Sequence, residues 1–241
     1  MVTVRFYEEL NDFLKPEQRK RPFTASFRRG DTVKALIESL GVPHTEVDLI
    51  LVDGHSVSFG HRLRCGQRIS VFPVFESLDI GALTRVRPEP LRSPRFVLDV
   101  HLGGLAKGLR MLGFDTLYTN ALDDAVLSEI SHRERRILLS RDRELLKRSQ
   151  ISHGYCVRSH RPGEQLAEVI RRFDLEPRIR AFTRCLRCNL SLEAVRRREV
   201  REQLPEHVAR TYRRFRRCPG CGRVYWRGTH WENMRRSLGL G

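Results

Sequence analysis

Two sets of residues in this sequence have types and spacings that could do chemistry. The first set is acidic. Asp99 closes the apolar run RFVLD, Asp123 and Asp124 follow DTLYT, and Asp142 stands two residues after RILLS. A carboxylate at the end of an apolar run is costly to bury unless something pairs with it. Acids from separate strands of one open parallel sheet can converge beyond its carboxyl edge. Such a cluster is the hard-oxygen cage that Mg²⁺ or Mn²⁺ takes. An ion held there would bind a phosphate oxygen and acidify a water for attack on phosphorus. A plainer reading stands beside it, with Asp123 as a helix cap and Asp142 paired with Arg141 or Arg143 at the surface.

The second set is made of thiols. Cys185-Leu186-Arg187-Cys188 and Cys218-Pro219-Gly220-Cys221 are two CxxC pairs with a 29-residue spacer. Each pair forms a knuckle whose thiolates meet one ion, and two knuckles complete a tetrahedron around Zn²⁺. Four protein thiolates leave no open position, so the zinc expected here is structural. Its binding free energy would be much of that module's folding free energy. Disulfides are the alternative. The first residues, MVTVRFYEELNDFLK, carry charge and lack the apolar stretch of a secretory leader, so a reducing, cytoplasmic setting is expected, and with it zinc. Cys65 and Cys156 stand alone and read as core thiols.

The elements that would position the acids alternate. RFVLD is a strand. In LGGLAKGLRMLG the residues Leu102, Leu105, Leu109 and Leu112 fall on one helical face, and Gly113 suits the helix end. DTLYT is a second strand and DDAVLSEISHRE a second helix. RILLS and RDRELLKRS repeat the pattern, as do GYCVRS and PGEQLAEVIRRF. Strand and helix alternating four times predict an α/β domain, a parallel sheet with flanking helices. Upstream, VTVRFY, TASFRR and RISVFPV alternate as strands, LILVDGHSV adds a strand and tight turn, and TVKALIESLGV is a helix capped by Asp31 or Thr32 and ended by Gly41. The proline-rich RVRPEPLRSPR reads as a linker. His44, His55 and His61 show no ligand spacing and read as surface residues. Four segments result: a small sheet-and-helix domain over 1–79, a linker over 80–94, the alternating domain over 95–180, and a cysteine module over 181–241.

Charge separates these segments. Net charge over all 241 residues is +16, but residues 1–79 hold 11 Lys and Arg against 11 Asp and Glu. Residues 80–184 hold 20 against 13, and residues 185–241 hold 14 against 5. The excess lies in the last two thirds and is mostly arginine, whose planar fork suits phosphate. A polyanion partner, a nucleic acid, is expected there ahead of a merely solubilising surface. Tyr225, Trp226 and Trp231 lie among Arg223 and Arg227, an arrangement that stacks bases while cations hold phosphates. Packing of the aromatic rings around the zinc knuckles explains them equally well. His230 reads as a surface or packing residue. No apolar run approaches the roughly 18–20 residues of a membrane span.

FVLDVHLGGLAKGLRMLGFDTLYTN, with DDAVLSEI and RILLSRDREL after it, resembles the Mut-seven C-terminal RNase family, a branch of the PIN-like nucleases. RCLRCN and CPGCGRVYWRGTHWENM resemble the zinc ribbon that ends its members. Residues 1–79 resemble the ubiquitin-like, β-grasp domain fused ahead of this nuclease. The resemblance implies a PIN-like parallel sheet with flanking helices, an N-terminal β-grasp domain and a C-terminal zinc ribbon. It implies a metal-dependent ribonuclease hydrolase, with Asp99, Asp124 and Asp142 as the Mg²⁺- or Mn²⁺-binding acids and Asp123 as a substitute. Arg141, in the family's RD motif, would contact phosphate, and Arg143 lies beside it. Lys107 and Arg110, one helical turn apart, would face the same groove, with Arg223, Trp226, Arg227 and Trp231 on the ribbon. Ser140 stands where many members have Thr. The β-grasp domain is related to small sulfur carriers, but RISVFPVFESLDIGAL has no free Gly-Gly tail, and the neutral charge of residues 1–79 points to a docking or regulatory role toward a protein partner instead. Two other readings remain at this point. One is a non-catalytic RNA-binding protein associated with tRNA or the ribosome. The other is a β-grasp adaptor with a vestigial nuclease domain.

Overall fold

The computed structural model describes residues 1–73, 83–86 and 94–237, with the side chains of His230 and Arg235 excepted. The sequence readings on the absent Gly-Gly tail, on most of the linker and on His230 lie outside these residues. Along the chain run β1 (Val2–Phe6), β2 (Phe23–Ala25), α1 (Val33–Ser39), β3 (Val47–Val52), β4 (His55–Ser56) and β5 (Arg68–Pro73). Then come β6 (Phe96–Leu98), α2 (Gly103–Met111), β7 (Thr116–Leu117), α3 (Asp124–Glu134), β8 (Ile137–Ser140), α4 (Arg143–Leu146), β9 (Gly154–Cys156) and α5 (Pro162–Arg172). The last part holds β10 (Glu193–Val195), α6 (Arg197–Val200), α7 (Glu206–Thr211), β11 (Phe215–Arg217), β12 (Val224–Tyr225) and α8 (Thr229–Ser237). The chain divides into two compact units, Met1–Ser93 with Asp124–Cys156, and Pro94–Asp123 with Val157–Gly241.

In the first unit the amino-terminal sheet has the order β2-β1-β5-β3-β4. β1 and β5 are parallel, and the other pairs are antiparallel. Alternation decides its faces: Val2, Val4 and Phe6 are buried while Arg5 is exposed. Thr32 caps α1 by accepting a hydrogen bond from Ala35 N at 3.2 Å, and Gly41 closes it at φ +95°. Asp53 and Gly54, both at positive φ, make the tight turn between β3 and β4. This is the β-grasp arrangement, a half-open sheet on one helix. Also in this unit, β8 and β9 pair in parallel from Leu138 with Gly154 to Ser140 with Cys156.

His44 corrects the surface reading. It is 6% exposed; its Nδ1 lies 2.7 Å from Glu38 Oε1 and its Nε2 lies 2.9 Å from Ile151 O. Next to it, the buried Glu46 accepts from Cys156 N of β9 at 2.5 Å. The amino-terminal sheet therefore docks on the end of β9 through a short turn of its own. Cys156 is buried as expected, whereas Cys65 is exposed, not a core thiol.

In the second unit β6 and β7 pair in parallel, Phe96 with Thr116 and Val97 with Leu117. Phe96, Val97 and Leu98 are all buried, as strands covered on both faces must be. The leucine face of α2 is buried as its spacing predicts. Its other side packs on α5 through glycines: a Cβ at Gly104 would lie 2.7 Å from Pro162 Cγ, and one at Gly108 2.8 Å from Leu166 Cδ2. The chain is thus a mixed α/β protein whose parallel strands are flanked by helices.

The last part is a three-stranded antiparallel sheet in the order β10-β11-β12. The long spacer between the cysteine pairs holds β10, α6, α7 and β11, and it builds a small core of Val200, Leu204, Val208 and Phe215. That core supplements whatever the thiol centre provides, since so small a module is marginal on apolar burial alone.

Candidate functional site

The thiols come together. The four sulfurs of Cys185, Cys188, Cys218 and Cys221 lie within 4.8 Å of one another, the spacing of a single tetrahedral Zn²⁺ site. Each knuckle is built the same way. Asn189 N donates to Cys185 O at 2.9 Å, and Gly222 N donates to Cys218 O at 3.0 Å. Asn189 and Gly222 are both left-handed, at φ +61° and +69°. A residue of that conformation four places after the first cysteine turns the chain back, so both thiols of a pair face the same point. Only Gly, and less readily Asn, adopts it without strain.

The electrostatics of the quartet are uneven. Burial opposes ionisation of Cys185, yet hydrogen bonds from Tyr225 and from the Cys188 and Arg187 amides bring its thiol down to about 6. The Tyr225 hydroxyl lies 3.1 Å from Cys185 Sγ and accepts from Leu186 N at 3.2 Å. Its own proton is then the one aimed at the sulfur. Burial and the Cys185 contact push the Tyr225 phenol up. The hydrogen bond with Cys221, then burial, pushes Cys188 up to about 12, and burial raises Cys218. The first negative charge of the centre therefore sits on Cys185.

The first knuckle is stitched to the parallel strands. Arg110, on α2 and 5% exposed, donates from Nη1 to the carbonyls of Leu186 and Arg187 at 3.0 and 3.1 Å. Its Nε donates to Thr116 O at 2.9 Å and its Nη2 to Tyr118 O at 3.3 Å. Burial lowers its guanidinium from the ordinary value against the opposing pull of Cys185, Cys188 and Asp115. Asn189 Nδ2 donates to Asp115 Oδ1 at 2.7 Å, and Asn189 Oδ1 accepts from Thr116 N at 3.0 Å. Arg184 pairs with Asp115 at 3.5 Å. Arg110 thus spends its fork on backbone carbonyls, a positioning task that its place in a basic helix face did not announce.

Around this junction lies a basic groove of about 1260 Å³ bordered by Lys107, Arg187, Arg223, Tyr118, Asn120 and Trp226. Lys107, Arg187 and Arg223 are exposed. Arg187 was missed by the sequence reading; its position between two ligand cysteines is the signal that could have found it. A second cavity of about 440 Å³, also lined by Trp226, is walled by Met111, Phe182 and Trp231. Trp231 stands edge-on to Phe182 at 5.2 Å, and Arg227 lies 5.6 Å from the same ring.

The acids are placed one by one. Asp99, 5% exposed, follows β6 and caps a short 3-10 turn, its Oδ1 accepting from His101 N at 2.7 Å. Asp123 is exposed, and Asp124 opens α3, 3.6 Å from Arg148 Nη2. Asp142 caps α4, its Oδ1 accepting from Glu144 N and Leu145 N at 2.8 and 3.3 Å, and Ser140 Oγ accepts from Asp142 N at 2.9 Å. Asp99 and Asp123 belong to one compact unit, Asp124 and Asp142 to the other. Among the described residues, the cysteine quartet is the one group of three or more His, Cys, Asp or Glu whose ligand atoms lie close enough to share an ion. Arg141 is exposed, and Arg143 rests 4.9 Å from the Phe13 ring of the amino-terminal domain. No helix among the described residues is long and apolar enough to cross a membrane.

A β-grasp sheet, helix-flanked parallel strands and a terminal four-thiol ribbon make a composite protein class. Comparison with known families agrees. Residues 94–238 match the model described as the Mut7-C RNAse domain, and residues 1–79 match the Mut7-C ubiquitin model. The chain belongs to the Mut7-C RNAse domain family. It is 30% identical over 138 residues to the human protein named exonuclease mut-7 homolog, over 55% of this chain. It spans only 15% of that relative's length. No solved structure matches. The family description and the relative's name together point to a nuclease.

Proposed function

We propose that the protein is a cytoplasmic, metal-dependent ribonuclease that hydrolyses RNA phosphodiester bonds. The observation that carries this reading is the match of residues 94–238 to the RNAse domain family. The proposed catalytic acids are Asp99, Asp124 and Asp142, with Asp123 able to stand in. Their donor chemistry suits Mg²⁺ or Mn²⁺, since carboxylate oxygens are the ligands these hard ions take. When bound, such an ion supplies charge neutralisation at the phosphate and a more acidic water. The residues do the rest. Asp99 is held at the strand end by its bond from His101 N, Asp142 is oriented by two amides of α4, and Arg141 offers its fork to the phosphate. Lys107, Arg223, Arg227, Trp226 and Trp231 hold the RNA, and Arg110 holds the knuckle beside it. Zinc on the four cysteines is structural, and the amino-terminal domain docks protein.

The test is Asp99→Asn in the full, zinc-loaded chain. Cleavage of a labelled RNA should fall by on the order of 10²–10³, the usual effect of losing one charge-stabilising contact. Affinity for the same RNA should stay within about twofold, because the substituted group holds the ion and not the strand. Equal cleavage by wild type and variant, or cleavage that persists without added divalent metal, rejects the mechanism. A second reading has its own observation: Asp99, Asp124 and Asp142 each already engage a backbone amide or an arginine nearby. On that reading the acids are structural and the protein binds RNA without cutting it. RNA binding that never leads to cleavage under any divalent metal would select it.

A further inference from the structure

The two cavities that meet at Trp226 differ in character but share a wall of Leu186, Val224, Tyr225 and Trp226. One is the groove bordered by Lys107, Arg187 and Arg223, and among the described residues no acidic side chain borders it. The other is the aromatic cavity of about 440 Å³, within the ~300–1,000 Å³ of ligand pockets. Its apolar walls carry a few polar groups, among them His207 and Thr211. Gly228 leaves room for the shared Trp226 ring, since a Cβ there would lie 2.9 Å from Trp226 Nε1.

We infer that these cavities form one binding site for single-stranded RNA, with phosphates on Lys107, Arg187 and Arg223 and one unstacked base turned past Trp226 into the aromatic cavity. Charge selects a polyanion for the groove. A flat, weakly polar group suits the neighbouring cavity. A nucleotide carries both chemistries, an anionic phosphate beside a flat base. A paired base cannot enter the cavity, so the site takes strands and rejects duplex. Sequence tolerance follows, because every base has a face to stack. The site belongs to the junction of α2 with the ribbon, and Arg110 positions it by fixing the carbonyls of the first knuckle. This inference rests on the RNA-directed reading above, but on none of the four acids.

The experiment uses the full, zinc-loaded chain in buffer without added Mg²⁺ or Mn²⁺. Anisotropy of a fluorescein-labelled ten-nucleotide RNA reads affinity as a function of salt. Trp226→Leu should weaken binding of the single strand about tenfold, as loss of a stacking contact does, with the salt slope unchanged. Lys107→Gln, an exposed change that leaves the fold alone, should flatten the slope of log K against log salt by about 0.7, as does Arg223→Gln. A blunt RNA duplex should bind wild type weakly and lose nothing with Trp226→Leu. Zinc content of each variant reports folding of the ribbon. Single-strand affinities within twofold of wild type for both Trp226→Leu and Lys107→Gln, at full zinc content, overturn the inference. So does equal loss of duplex and strand binding on Trp226→Leu. Asp99→Asn keeps the two proposals apart: binding lost at Trp226 while Asp99→Asn still cuts leaves this site standing and removes the nuclease mechanism.

Discussion

Cys185 and its neighbours show how single residues set the chemistry of the thiol centre. Cys185 is brought to about 6 while Cys188 is pushed to about 12. At neutral pH the apo centre carries charge on Cys185 and protons on the raised thiols. Metal binding must displace those protons, so zinc affinity rises with pH and uptake releases acid. Below about pH 6 Cys185 also holds a proton, and affinity should fall more steeply there. A competition titration with a chromogenic chelator between about pH 5 and 8 checks this; an affinity flat in pH would contradict it. Tyr225→Phe deletes the hydroxyl beside Cys185 Sγ. It should lower zinc affinity about tenfold, as other losses of outer-shell partners do. The thiol ligands were readable from sequence because a CxxC spacing puts two sulfurs on one turn. The buried state of His44 and the bridging work of Arg110 were not, because each turns on backbone carbonyls far along the chain, Ile151 O for His44 and Leu186 O and Arg187 O for Arg110, which no side-chain pattern reveals.

At the scale of elements, α2 carries the most information. Its leucines, its glycine face toward α5 and its end at Gly113 were set by periodicity and by one residue of special backbone freedom. Gly113 sits at φ +97°, and a Cβ there would lie 2.1 Å from Arg180 O. That atom is backbone and cannot swing away. Gly113→Ala should therefore cost about 2 kcal/mol or more, from the strained conformation and the clash together. A shift of the urea midpoint measures it; an unchanged midpoint would mean that the 180 loop moves freely. Elsewhere the reading was coarser. The expected RDRELLKRS helix is only Arg143–Leu146. The spacer between the cysteine pairs, given no elements from sequence, holds β10, α6, α7 and β11 with a core of their own. Helices that short carry too few apolar repeats to be recognised from periodicity.

For the molecule as a whole, the division into units does not follow the family boundary. The amino-terminal domain shares its unit with residues 124–156. Glu46 accepting from Cys156 N, His44 beside Ile151 O and Arg143 on Phe13 are the bonds of that union. The neutral charge of residues 1–79 suggested docking, and its first docking partner is the chain's own β9. Glu46→Ala removes the acceptor of a buried amide. It should destabilise the protein by about 1–3 kcal/mol, with hydrogen-exchange protection at Cys156 falling selectively. Unchanged protection at that amide would show the contact to be unimportant.

By itself the sequence determined the strands and longer helices ahead of the cysteine module, the thiol quartet, the charge asymmetry and the family, because each is written in residues a few places apart or in composition. Tertiary structure alone decided that Arg110 braces the first cysteine knuckle, that Arg187 and Trp226 border one groove, and that residues 1–73 rest on β9. Those contacts join positions as much as 110 residues apart. Arg110 and Glu46 act on backbone groups common to every residue, and the groove gathers side chains from separate segments, so only the folded chain could select among them.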